Sequence, residues 1–153
     1  MCSIYTFIYY ILIAIGNDSV EEWSRLWSYQ LSNLSFSIGL VHWLQNRTLV
    51  PPDGVSKLLR LPNQITLDIE TYLQGICLIP KELSRLCMNC VRNGQYNTVS
   101  DISTFVNDLY AGFCLLNLRN DALRRRFDGI KYEVNKIDQI LYDISVRKLA
   151  NDN

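Results

Sequence analysis

The residues best suited to chemistry are three consecutive arginines, Arg124, Arg125 and Arg126, extended by Arg119 and Lys131. Guanidinium groups bind phosphate oxygens through parallel N–H donors, and such contacts give salt-dependent affinity with little sequence preference. Successive residues of a helix point about 100° apart, so at least two of the three arginines must face solvent or a partner. These five residues are the candidate nucleic-acid-binding residues.

Charge is unevenly distributed along the chain. The formal net charge of the 153 residues is zero, yet residues 117–149 hold eight of the fifteen Lys and Arg against five acids. An anion-binding surface is therefore expected in this region. The alternative is an ordinary solvated helix face with ion pairs such as Arg124 to Asp128, and residue types alone favour that alternative.

Aromatic side chains near these arginines could stack unpaired bases if they were exposed. Most are predicted to belong to the core, and we single out none as a base platform. The residues considered are Trp23, Trp27, Tyr29, Trp43, Tyr72, Tyr96, Tyr110, Tyr132 and Tyr142.

Other reactive residues do not form a convincing site. Cys87 and Cys90 have the CxxC spacing of metal and redox motifs, but there is no second CxxC and the single histidine, His42, is distant in sequence. Two thiols on a buried helix are the favoured interpretation, and His42 is expected to be a buried, hydrogen-bonded imidazole. Glycine-rich phosphate loops, GxSxG and HExxH are absent from the sequence. We therefore predict no catalytic residue and no metal ligand.

The spacing of apolar residues predicts helices throughout, and therefore an all-α, antiparallel bundle of long helices. The first clear helix runs from Ser19 to Asn46, and a short one follows at 55–61. A third runs from about Asp68 to Arg92, but Pro80 should kink or break it near 76–79. Asn93-Gly94 ends it, since glycine accepts a left-handed cap, and a polar loop at 95–100 precedes a helix from Asp101 to about Leu116.

The last helix starts near Asn120-Asp121 and carries apolar residues spaced alternately by four and three. This heptad seam needs a partner face, either within the bundle or on another subunit, and the pattern does not distinguish the two. We predict it as an oligomer seam on the strength of the resemblance described next. Its residues are Leu123, Phe127, Ile130, Val134, Ile137, Leu141 and Ile144.

From Leu67 to Leu149 the sequence resembles the translin family of helical proteins, which bind single-stranded nucleic acid. The resemblance rests on five segments of this chain: LDIETYLQG at 67–75, ELSRL at 82–86, ISTF at 102–105, GFCLLNLRND at 112–121 and RRRFDGIKY at 124–132. The last segment contains the arginine triplet, so the resemblance reverses the preference for an ordinary solvated face.

The resemblance implies binding of single-stranded DNA or RNA and self-association into a closed, commonly octameric assembly. It also implies a scaffold role beside translin-associated factor X, with which translin forms an endoribonuclease that removes the passenger strand of small duplex RNA. Cytoplasm and nucleus are the implied compartments. The stretch from Val20 to Leu26 has only Arg25 as a basic residue where many family members are rich in basic residues and histidine. Nucleic-acid binding weaker than in the family, or none, is therefore expected.

The resemblance also bears on catalysis. The partner family holds a divalent metal with clustered acids, whose positions correspond here to Asn33, Phe36, Leu78 and Glu82. One carboxylate cannot form the oxygen-rich cage that Mg²⁺ requires. This chain is therefore expected to be non-catalytic alone and without a cofactor, Mg²⁺ entering only through a catalytic partner. Glu82 is expected to pair with Lys81, Arg85 or a neighbouring helix.

Residues 1–16 form an apolar segment distinct from the translin-like helical domain predicted at 17–150. Ile4 to Ile15 is continuously apolar, too short for an ordinary transmembrane helix and without a basic residue before it. The family's first helices have no counterpart, so a truncated or mispredicted gene model is expected. A signal peptide and a first helix packed in the core are the alternatives, and no membrane association is predicted unless this segment is native.

Overall fold

The structure, a computed structural model, describes residues 24–59, 66–116 and 121–147, with side chains from residue 28 onward. These ranges contain helices and no strand, which confirms the predicted all-α class. No helix within them is long and apolar enough to cross a bilayer. The helices are α1 (Ser24–Asn46), α2 (Pro52–Leu59), α3 (Ile69–Ile76), α4 (Ile79–Arg92), α5 (Tyr96–Cys114) and α6 (Asp121–Val146).

The predicted helix from Asp68 to Arg92 is two helices, α3 and α4, and the break lies where Pro80 placed it. Proline has no N–H for the carbonyl four residues earlier but is tolerated in a first helical turn, so α4 restarts at Ile79. Asp68 caps α3 by accepting the Thr71 backbone N–H at 2.6 Å.

Gly94 ends α4 in the left-handed conformation, with φ of 70°, as predicted. The Gln95 and Gly94 N–H groups donate to the carbonyls of Cys90 and Val91 at 2.9 and 3.1 Å, forming a Schellman cap. The prediction of a loop at 95–100 is wrong, because α5 begins at Tyr96. Val99 is fully buried, so the apolar face of α5 starts before Asp101.

The heptad seam of α6 packs inside this chain, against α4 and α5. Five of its residues are between 1% and 8% exposed, and Phe127 and Leu141 are partly buried. The Phe127 ring stacks on Tyr110 and Phe113, at centroid distances of 5.5 and 5.8 Å. The partner face of the seam is therefore within the bundle, and the prediction that the seam joins subunits is not supported for its five buried residues, Leu123, Ile130, Val134, Ile137 and Ile144.

Helices α1 and α3 cross at Gly75 with almost no space between them. A Cβ added to Gly75 would lie 2.3 Å from the Ser32 carbonyl oxygen and 2.9 Å from the Ser35 Cβ. Ser32 and Ser35 are themselves buried. Small residues on both helices therefore allow the two backbones to approach closely.

Candidate nucleic-acid interface

The structure separates the three consecutive arginines at the start of α6. Arg124 and Arg125 are exposed, whereas Arg126 is half-buried against α1 and α3. Lys131, one to two turns further on, is also exposed. Arg119 lies outside the described residues. Three of the five candidate binding residues are thus available to an anion on the described surface.

Arg126 links three helices through its guanidinium group. Its Nη1 donates to the carbonyl oxygen of Gln74 at 2.8 Å and to Ser32 Oγ at 3.4 Å. The Gln74 carbonyl lies in the last turn of α3, and the Leu78 N–H that would reach it in a continuous helix bonds to Gly75 instead. Arg126 therefore satisfies an acceptor left open by the break between α3 and α4.

Arg124, Arg125 and Lys131 take part in none of the ion pairs within the described ranges. Those pairs join Arg47 to Asp101 at 3.8 Å, Arg85 to Glu82 at 3.0 Å and Lys136 to Glu133 at 3.3 Å. The suggested pair between Arg124 and Asp128 does not form. Three solvated cations that form no ion pair with a described carboxylate can bind phosphate groups without first breaking such a pair.

The aromatic residues divide between core and surface. Trp43 and Tyr72 are buried, and Tyr96 and Tyr110 are partly buried. The prediction that most are core is wrong for Tyr29, Tyr132 and Tyr142, which are 60%, 73% and 68% exposed. The Trp23 and Trp27 side chains lie outside the described part.

The positions that correspond to the partner family's acids do not form a carboxylate cluster. Asn33 and Phe36 are half-buried on α1, Leu78 lies in the break between α3 and α4, and Glu82 accepts from Arg85 Nη1 at 3.0 Å. The predicted pairing of Glu82 with Arg85 is confirmed. Within the described ranges no group of three or more His, Cys, Asp and Glu could hold a metal ion.

His42 is hydrogen-bonded as predicted but only half-buried, since it lies near the end of α1 rather than in the core. Its ring nitrogens lie 3.2 Å from Thr48 Oγ1 and 3.3 Å from Asn46 Nδ2. The imidazole therefore joins α1 to the segment that follows it.

Cys87 and Cys90 are buried, in agreement with the interpretation of two core thiols. Burial, and secondarily Cys90, raises the pKa of Cys87 to about 11, and burial raises the pKa of Cys90. Burial also raises the pKa of Cys77 to about 12, although nearby Arg126 opposes the shift. Thiols with such pKa values stay protonated at neutral pH, and the thiolate is the form that attacks electrophiles and binds metals.

We therefore expect a thiol reagent at pH 7.5 to label Cys114, which is exposed, and to leave Cys77, Cys87 and Cys90 unmodified in the folded protein. Peptide mass mapping after brief iodoacetamide treatment measures this, with urea-unfolded protein as the control in which all four react. Rapid labelling of Cys87 or Cys90 in the folded protein would contradict the buried, protonated state.

The translin family model matches residues 4–148, which is most of the chain and includes the five segments that carry the resemblance. The chain belongs to the translin family. Translin of Bos taurus is 43% identical over 125 residues, covering 79% of this chain and 55% of the relative. Translin of Gallus gallus is 43% identical over 139 residues, and the match covers 88% of this chain and 61% of the relative.

The chain is also similar to translin-associated protein X of Pongo abelii. The alignment is 163 positions long, shows 21% identity, and covers 92% of this chain and 56% of the relative. This translin-family chain thus spans little more than half the length of its curated relatives. The family match begins at residue 4 and so takes in the apolar run Ile4 to Ile15, which lies outside the described residues.

The structural role of Arg126 was missed in the sequence, although the heptad seam contained a signal for it. Measured from Leu123, Arg126 lies about 60° around the helix, Arg124 about 100° and Arg125 about 160°. Arg126 therefore borders the buried stripe, while Arg125 points away from it. Comparing each arginine with the direction of the seam would have identified the inward one.

Proposed function

We propose that this translin-family chain is a single-stranded DNA- or RNA-binding scaffold subunit of an oligomer, non-catalytic by itself. In this proposal it supports a translin-associated protein X partner in an endoribonuclease that removes the passenger strand of small duplex RNA. The partner supplies the acids that hold Mg²⁺, and this chain needs no cofactor. Cytoplasm and nucleus are the proposed compartments.

The observation that carries the proposal is that Arg124, Arg125 and Lys131 are exposed on one helix of a translin-family fold and form no ion pair with any described residue. Lysine and arginine at a surface bind phosphates by releasing condensed counterions, which requires no base-specific geometry. Asp121 and Asp128, also exposed on α6, reduce the local positive charge. Binding is therefore expected to be weak at high salt.

The test is fluorescence anisotropy of a labelled 20-nucleotide single strand at several salt concentrations, using the oligomer isolated by size exclusion with light scattering. For single strands the slope of log affinity against log salt changes by about 0.7 per phosphate contact. Changing Arg124 and Arg125 together to alanine should lower affinity at low salt about tenfold or more and reduce the slope by roughly 1.4.

The matched control changes Lys81 and Arg92 on α4 to alanine, which removes the same charge from exposed positions outside α6 that form no ion pair with a described residue. This control should alter the slope little. Undetectable or salt-insensitive binding by a well-folded assembly would overturn the proposal and favour the alternative, a structural or regulatory subunit without nucleic-acid binding of its own.

A further inference from the structure

Tyr132 is the most exposed tyrosine of the described surface, at 73%, and it lies on the helix that carries Arg124 and Arg125. A single exposed ring is common on a protein surface, so Tyr132 is of interest for its position among charged side chains rather than for its exposure alone. Tyr132 points about 180° from the Leu123 side of α6, away from the core. Its ring is therefore accessible to a ligand on the described surface.

The neighbours of Tyr132 along the exposed face of α6 are two cations, one acid and a glycine. Arg125, Asp128, Gly129 and Lys136 all lie within about 60° of the direction of Tyr132, and the Asp128 carboxylate offsets part of the positive charge of the two cations. A Cβ added to Gly129 would meet no neighbouring atom within 4 Å, so the surface at Gly129 is open. Helical side chains lean toward the N-terminus, and Gly129 lies in the turn on the N-terminal side of Tyr132.

From its N-terminal end, this face of α6 therefore presents the guanidinium group of Arg125, the carboxylate of Asp128, the open position at Gly129, the Tyr132 ring and the ammonium group of Lys136. Arg125 and Lys136 are separated by about 16 Å along the helix axis, and Tyr132 lies between them. Lys136 also contacts Glu133 at 3.3 Å, so Arg125 is the freer of the two cations. A strand whose phosphates meet the cations would bring a base to the ring between them, which is how sequence-tolerant single-strand sites are built.

We propose that Tyr132 is a base-stacking residue of this chain, seated beside the Gly129 space and flanked by Arg125 and Lys136. The inference rests on the proposed function and extends it from phosphate binding to recognition of unpaired bases. A stacking role for Tyr132 would make the protein prefer single strands to duplexes, because paired bases do not offer a free face to the ring.

Tyr132→Ala should weaken binding of the 20-nucleotide single strand about fivefold or more while leaving the salt slope unchanged, since no phosphate contact is lost. Tyr132→Phe should bind like the wild type, because the ring is kept. Gly129→Leu should also weaken binding by filling the open space, at a position where an added Cβ meets no atom within 4 Å. The control is Tyr142→Ala, which removes an exposed tyrosine of the same helix beside Asp138 and Asp143.

An abasic phosphodiester oligomer distinguishes this inference from the proposed function. It should bind the wild type and Tyr132→Ala equally and should still lose affinity when Arg124 and Arg125 are changed. If the arginine changes reduce binding and Tyr132→Ala does not, the stacking role is overturned and the proposed function stands. If neither change reduces binding of the base-containing strand, both are overturned.

Discussion

Replacing Gly75 by alanine is expected to lower the free energy of unfolding by about 2 kcal/mol, even though alanine is the better helix former. The added Cβ would lie 2.3 Å from the Ser32 carbonyl oxygen, a backbone atom that cannot rotate away. Helix α1 would have to move off α3, and overpacking of this kind costs about 1 to 3 kcal/mol or more. Urea unfolding at fixed protein concentration measures the change.

Gly129→Ala is the matched control, since it makes the same substitution inside a helix. A Cβ there meets nothing within 4 Å, so only the helix propensity changes, and a gain of about 0.5 to 1 kcal/mol is expected. The two substitutions should therefore have opposite signs. Equal stability of the Gly75→Ala protein and the wild type would contradict the close crossing of α1 and α3.

Replacing Arg126 by alanine is expected to destabilise the protein by about 2 kcal/mol, because it removes a charge-assisted hydrogen bond and leaves the Gln74 carbonyl without its donor. Hydrogen bonds to charged groups are worth about 1.5 to 3 kcal/mol, and Arg126 is only half-buried. The loss should appear as a lower urea midpoint with an unchanged denaturant slope.

Arg125→Ala is the control for charge, since it removes a neighbouring exposed arginine with no ion pair in the described part of the chain. It should leave stability within about 0.5 kcal/mol of the wild type. If Arg125→Ala destabilises as much as Arg126→Ala, the inward and outward roles assigned to these residues are wrong.

Local signals were sufficient to predict most of the helices. Pro80 and Gly94 act through the backbone of their own segment, by a missing N–H and a left-handed φ, so their effects could be predicted without knowing the tertiary fold. The start of α5 could not be predicted this way. Residues 95–100 have the polar composition of a loop, and Tyr96 and Val99 are held in a helix by packing against the core.

The surface was harder to predict because it depends on helix rotation. The arginine triplet was identified from residue type and family resemblance, and helix geometry required two of the three to face outward. Which one turns inward depends on the break between α3 and α4, where the Gln74 carbonyl accepts from Arg126. Likewise, the prediction that most of the aromatic side chains belong to the core does not identify Tyr132 as one of the exposed ones.

The bond from Arg126 to α3 has a consequence for the rotational freedom of α6. The buried seam already limits rotation of α6, because its side chains are closely packed against α4 and α5. A directional polar contact on one side of the seam opposes rotation further and helps to fix the angular setting of the helix. The backbone positions from which Arg124, Arg125 and Tyr132 project into solvent are therefore set by contacts inside the chain, and the proposed binding site does not depend on a rotation of the helix.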